Sequence, residues 1–391
     1  MPTLSSRITT LNDGGSDGWE VFYRARAMAE AGKPVIELTI GEHDIGTDQA
    51  ILDAMHKAAS GGHTGYAIVP GTHALRDAIA AQVTAQSGVA TGRNNVLVTP
   101  GGQSALFAAH VAACGPGATA LFLDPYYATY PGTLRGAGAK AVAVPTRAED
   151  GFLPDADVVD RIAAETGALS LLINSPNNPT GVVYPRQTLE ALARVAEARD
   201  LWIISDEVYD SQVWDGAHVS PRMIPGMRDR TLVIGSMSKS HAMTGSRIGW
   251  LIGPQTAIAA LIDLATVTTY GVAGFIQDAA TFALTTADPA IVAEPFRRRR
   301  DKVLAVIAAQ NVVRAVPPQG AMYVMLDIRA TGMTGEAFAN HMLDTHNIAV
   351  MPGESFGTAA AGHLRVALTV DDDRLVEAVR ILCQTAAQMA G

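Results

Sequence analysis

From residue 95 onward the chain alternates apolar runs of strand length with segments of helical spacing, and few architectures accommodate that pattern. The runs fall at residues 95–99, 118–123, 140–145, 168–173, 201–205, 231–235 and 248–252. A near-continuous apolar run such as Leu201-Trp202-Ile203-Ile204 belongs to a strand covered on both faces, and strands that alternate with helices join by crossovers into a parallel sheet. The expected fold is therefore α/β: a large domain with a mostly parallel seven-stranded sheet sandwiched by helices, plus a smaller α/β domain. Residues 1–45 read as an N-terminal arm and part of the small domain, 46–286 as the large domain and 287–391 as the C-terminal small domain. A long helical pattern over about 287–310 bridges the last two.

Composition removes several function classes. A formal net charge of -9 opposes a nucleic-acid partner. The basic run 297–300 sits in a helical pattern and reads as a solvated face with salt-bridge partners. Cys114 and Cys383 lie far apart in apolar helical surroundings, which points to reduced, buried thiols and a cytoplasmic protein. No spacing suits a metal site, no secretory signal opens the chain and no apolar run reaches the length of a membrane span, so neither a metal nor a membrane is expected.

The polar and glycine-rich insertions follow strands: Pro100-Gly101-Gly102-Gln103, Asp124-Pro125-Tyr126-Tyr127, residues 174–181, Asp206-Glu207-Val208-Tyr209 and residues 236–247. In an open parallel sheet the carboxyl ends of the strands share one edge, and ligands bind in the crevice outside it. Five loops thus converge on one place. Lys239 and Arg247 alone would read as surface cations, but at that edge a desolvated lysine can lose its proton and attack a carbonyl to form a Schiff base. Gly101-Gly102 opens a helix whose free N–H groups favour a phosphate, although a lone glycine pair is more often a tight turn. Ser236, Ser238 and Arg247 add donors for the same anion. Asp206, ending a buried strand, is either a paired carboxylate or a helix N-cap.

Residues 174–181, 205–210 and 236–249 resemble the signature segments of the class I/II aminotransferases, the fold-type I enzymes dependent on pyridoxal 5'-phosphate (PLP), and most of all their bacterial aspartate and prephenate branch. The likeness extends in order to Gly41-Glu42, Tyr66, Pro70-Gly71, Leu75-Arg76, residues 99–106, Gly320-Ala321-Met322-Tyr323, Met351-Pro352-Gly353 and Leu364-Arg365-Val366. It implies catalytic roles for Lys239, Asp206 and Tyr209: Lys239 binds the cofactor's carbonyl and shuttles a proton, and Asp206 pairs with the pyridinium nitrogen. Tyr209 and Asn178 bond the ring's phenolate oxygen, and Tyr127 stacks on its face. Gly101, Gly102, Gln103, Ser236, Ser238 and Arg247 hold the phosphate, joined by Tyr66 from a neighbouring subunit, so a homodimer with shared active sites is expected. Arg365, which alone would read as a surface ion-pair residue, clamps the substrate's α-carboxylate with help from Asn178 and Gly41. The implied partners are an L-amino acid and a 2-oxo acid, exchanged by a ping-pong mechanism.

Three departures from the family pattern bear on substrate. Aspartate-specific members place a lysine directly after the glycine pair, where this chain has Gln103. A distal carboxylate then lacks its cation unless Arg7 or a partner subunit supplies one, so a neutral or broad donor range is expected. His43 replaces a typical proline, either lining the side-chain pocket or resting on nearby backbone, and Tyr270-Gly271 replaces Ser/Asn-Pro, which would reshape the pocket again. Competing functions are a carbon-sulfur or other PLP lyase on the same scaffold and, with less support, a PLP-binding regulator, for which no DNA-reading segment is present in this sequence.

Overall fold

The computed structural model describes residues 2–13 and 18–390. Of residues 1–45, read above as an arm and part of the small domain, residues 1 and 14–17 lie outside the described residues, as does residue 391. The strands are β1 (Ile36–Leu38), β2 (Val96–Thr99), β3 (Thr119–Asp124), β4 (Lys140–Pro145), β5 (Ser170–Asn174), β6 (Trp202–Asp206), β7 (Thr231–Ser236), β8 (Gly249–Ile252), β9 (Arg314–Val316), β10 (Tyr323–Asp327), β11 (Ile348–Pro352) and β12 (His363–Ala367).

Strands β2 to β8 form one seven-stranded sheet in the order β2-β8-β7-β6-β5-β3-β4. Successive residues feed opposite apolar faces: Leu121, Leu171 and Ile203 pack in one cluster, Phe122, Leu172 and Ile204 in another. Burial on both sides is why these strands read as continuous apolar runs. Only β8 runs against its neighbours, pairing antiparallel with both β2 and β7. The reason is the short return after β7: residues 237–248 hold one helical turn, Met237–Ser240, and a 3-10 turn, too little for a crossover helix.

The second sheet has the order β1-β11-β12-β10-β9, with β1 parallel to β11 and the remaining pairs antiparallel. Its core also takes Val21 and Ala25 of the helix Glu20–Glu30 and Phe296 and Val303 of the helix Pro289–Ala308. Residues 20–38 therefore join a sheet whose other strands lie after residue 313.

The basic run corrects one expectation. Arg297 and Arg298 are exposed, but Arg299 and Arg300 are buried. Arg299 clamps Asp44 through both Nη atoms at 2.9 and 2.6 Å and reaches Asp372 with Nε at 3.2 Å. Arg300 donates to Asp215 at 2.5 Å and to the Pro318 carbonyl at 3.2 Å. A buried guanidinium is tolerable only when its donors are used, and these partners lie on segments distant in sequence.

Candidate active site

The register places the functional loops on one edge. Thr99 and Ser236 both lie opposite Gly249, and Asn174 pairs with Asp206, so the ends of β2, β5, β6 and β7 face the same crevice. There a cavity of about 290 Å³ is lined by Gly41, Gly102, Gln103, Tyr127, Asn178, Asp206, Tyr209, Ser236, Ser238, Lys239, Arg247 and Arg365. Two glycines make the floor possible. Gly101 has φ +79° and its open side faces the Arg247 guanidinium, while a Cβ on Gly249 would stand 2.7 Å from the Gly101 carbonyl carbon. The helix Gly102–Ala113 starts at that point with its first N–H groups directed at the crevice edge.

Lys239 sits in the single helical turn after β7, which Ser236 Oγ caps by accepting from Ser238 N at 3.1 Å. Its Nζ donates to the Gly41 carbonyl at 2.5 Å. Burial pulls the amine down to about 8; Glu42 opposes that shift, and the cations Arg365 and Arg247 reinforce it. A neutral fraction, the form that attacks a carbonyl, is therefore present near neutral pH.

Asp206 is 4% exposed, and its Oδ2 accepts from the Tyr130 hydroxyl at 2.7 Å. Burial raises the carboxyl to about 6, although the Tyr130 and Val208 donors hold it down. The capping alternative survives only as a 3.3 Å bond from Val208 N, with no helix following. Such a carboxylate lacks a cation, and a protonated ring nitrogen would supply one. Tyr209 is buried, and its hydroxyl lies 3.0 Å from that of Tyr323.

Arg365 is 1% exposed. Its guanidinium lies between two rings, 4.4 Å from the Tyr323 centroid and 4.3 Å from that of Phe356. It donates to Asn178 Oδ1 at 2.8 Å and to the Thr39 carbonyl. Among the described residues no carboxylate pairs with it and Nε has no partner. A fully buried cation held by neutral groups is a ready site for an external carboxylate.

The structure separates other candidates from this cluster. Tyr66 is 92% exposed, does not line its own chain's cavity and packs edge-on to Tyr270 at 5.2 Å. Tyr270 lies outside the lining as well, so it does not reshape the cavity of its own chain. Gln103 keeps its backbone at the helix start, but its amide donates to Thr133 Oγ1 at 2.6 Å and accepts from Thr129 at 3.3 Å. Arg7 lines an adjoining, more apolar cavity together with Leu11 and Phe107. His43 takes the backbone alternative: Nε2 lies 3.0 Å from the Lys239 carbonyl, so that nitrogen carries the proton, and burial lowers the imidazole to about 4.

Sequence reasoning assigned no role to Tyr130, Tyr323 or Phe356. Tyr130 had a usable signal, the i, i+3 spacing from Tyr127. Tyr323 lay in the segment Gly320-Ala321-Met322-Tyr323 that the family likeness singles out, but nothing local ties it or Phe356 to Arg365.

The fit of these groups to an anionic, carbonyl-bearing cofactor agrees with the chain's relatives. Residues 33–382 match the family profile described as aminotransferase class I and II. An arginine–pyruvate transaminase from Pseudomonas aeruginosa is 43% identical over 380 residues, covering 96% of each chain. The aspartate/prephenate aminotransferase of Thermus thermophilus is 36% identical over 385 residues, covering 97% of each. A solved aspartate aminotransferase from Thermus thermophilus with maleate superposes with a TM-score of 0.91 at 34% identity, over 98% of this chain and 100% of that one. The chain belongs to the class I and II aminotransferases, fold-type I transferases that use pyridoxal 5'-phosphate.

Proposed function

We propose that this ping-pong aminotransferase accepts neutral or broad, rather than strictly acidic, amino donors, and that its site residues divide the work as follows. PLP, when bound, supplies an electron sink for the pair left on the donor's α-carbon. Lys239 Nζ would be the amine that holds the cofactor's carbonyl group and, when free, the base that moves the proton between the donor's α-carbon and the cofactor. Asp206 would keep the ring nitrogen protonated, and Tyr130 holds Asp206 in place. Tyr209, Asn178 and Tyr127 would hold the ring. Its phosphate would be held by Gly101, Gly102 and Gln103 at the helix start, by Ser236, Ser238 and Arg247, and by the partner subunit's Tyr66. Arg365, with Asn178 and Gly41, anchors the substrate's α-carboxylate. The single observation that carries this arrangement is the buried, carboxylate-free guanidinium of Arg365 in the same cavity as the Lys239 amine.

The donor range rests on Gln103. Its amide is engaged by Thr133 and Thr129, and the cations lining the cavity among the described residues are Lys239, Arg247 and Arg365, each with a role already. A distal carboxylate therefore finds no uncommitted cation in this cavity among the described residues, the next being Arg7 in the adjoining cavity, and the likeness to an arginine–pyruvate transaminase extends the expected range to basic side chains. The test is a panel of donors given singly to the holoenzyme without an oxo acid. A single equivalent of oxo acid per site from neutral or basic donors supports transfer, whereas steady release of oxo acid and ammonia makes it a lyase. Gln103→Lys should improve kcat/KM for aspartate by about tenfold relative to alanine, and equal ratios in both proteins would refute the assignment.

We also place the enzyme in the cytoplasm as a homodimer. Two buried free thiols support the compartment. The exposed Tyr66, outside its own cavity, supports shared sites. Division into an arm with part of the small domain (1–45), a large domain (46–286) and a small domain (287–391) is our reading of the two sheets.

A further inference from the structure

Asp124 ends β3 in the seven-stranded sheet, 3% exposed, and its carboxylate is spent on the other sheet's side of the molecule. Oδ2 accepts from Thr358 N and from Thr358 Oγ1, both at 3.0 Å, and Ala359 N donates to Oδ1 and Oδ2 at 3.2 and 3.3 Å. These donors belong to the 3-10 turn Thr358–Ala360, in the connection between β11 and β12. Two residues further along β3's exit, Tyr126 N donates to the Phe356 carbonyl at 2.9 Å. Gly357, with φ +117°, brings its backbone flat against the Asp124 carboxylate, leaving no room for a Cβ. Phe356 is thus itself attached to that strand end and stands two residues before a second attachment, and its ring is one of the two that sandwich Arg365.

We propose that Asp124 is a positioning residue for substrate binding: it latches the turn carrying Phe356 to the large sheet and so fixes the plane in which Arg365 meets the substrate's carboxylate. This rests on Arg365 being the carboxylate anchor. The physical basis is that planar, bidentate pairing loses most of its strength when the fork rotates, and the Phe356 ring that walls one side of that fork is tied to the large sheet through Asp124 and Tyr126.

The decisive variants are Asp124→Asn, which keeps the shape but turns a donor toward the 358–359 N–H groups, and Thr358→Val, which removes one hydroxyl donor and leaves the carboxylate. Asp124→Asn should raise KM by about tenfold and Thr358→Val by about threefold. The factor should be the same for every donor and oxo acid accepted, short or long, because all share the α-carboxylate. PLP affinity, measured by quenching of protein fluorescence, should stay within about twofold. A change in KM that depends on the donor's side chain, or a parallel loss of PLP affinity, overturns the latch. Thr358→Val carries the test alone if Asp124→Asn yields no folded protein, and an unchanged KM in it is then the overturning result. Arg365→Lys separates the two levels. If it weakens carboxylate binding while both latch variants leave KM unchanged, the latch alone fails. If Arg365→Lys itself leaves KM unchanged, the anchor reading fails and the latch falls with it.

Discussion

The cofactor-free protein should become more stable when Asp206 is replaced by asparagine, and only above a definable pH. In the fold the Asp206 carboxyl titrates at about 6 because burial penalises its charge, against 3.8 for the unperturbed group. Between those values the native state binds a proton that the unfolded chain has released, so this residue's contribution to stability falls as pH rises through that window and levels off above it. The gap amounts to about 3 kcal/mol of destabilisation once Asp206 is ionised. Asparagine carries no charge and accepts from Tyr130 much as the protonated acid does, and the value of about 6 already includes that bond. The expected gain is therefore about 3 kcal/mol near pH 8 and under about 1 kcal/mol near pH 4. Asp210, also raised by burial to about 6, is present in both proteins and cancels in the comparison. Urea midpoints of the two cofactor-free proteins across that pH range measure the effect. Parallel midpoints for parent and variant would show that the buried carboxylate is not strained and would remove the argument that it awaits a cation. PLP reverses the sign: with a protonated ring nitrogen beside it Asp206 gains its partner, so the variant should bind PLP more weakly while its empty fold is stronger.

Two further outcomes follow from burial. Tyr66→Ala and Lys239→Ala proteins, each inactive at limiting PLP, should recover about a quarter of parental activity when unfolded together and refolded, because half the dimers then contain one intact composite site; no recovery would place Tyr66's action within its own chain. Arg299→Met should cost about 3 kcal/mol by leaving Asp44 without its clamp, whereas Arg298→Met, on the exposed neighbour, should cost under about 1 kcal/mol, and equal urea midpoints for the two would contradict the buried assignment.

Local pattern made much of the large sheet legible. The seven apolar runs match β2 to β8 to within two residues at either end; six of these strands are almost wholly buried and so must be apolar nearly throughout, while the edge strand β4 is partly exposed. The direction of β8 was missed although its cause lies in the sequence: the runs at 231–235 and 248–252 leave only residues 236–247 between them, too few for a crossover helix, and β8 returns antiparallel. The run 297–300 misled for a related reason: charged residues are seldom buried unless paired, and the partners Asp44 and Asp372 are remote in sequence.

Taken by itself, the sequence determined that several strand-end loops meet at one edge and that Lys239 stands among them, because strand direction in a crossover sheet leaves those loops nowhere else to go. Only the tertiary structure decided what surrounds that lysine. Tyr130 reaches Asp206 across 76 positions of chain, and Asn178 meets Arg365 across 187. Phe356 and Tyr323 close on the two faces of the guanidinium. Periodicity reports which face of an element is buried, whereas the partner of a buried charge is chosen by how the chain packs, and it is the burial that packing imposes that brings the amine to about 8 and the carboxyl to about 6.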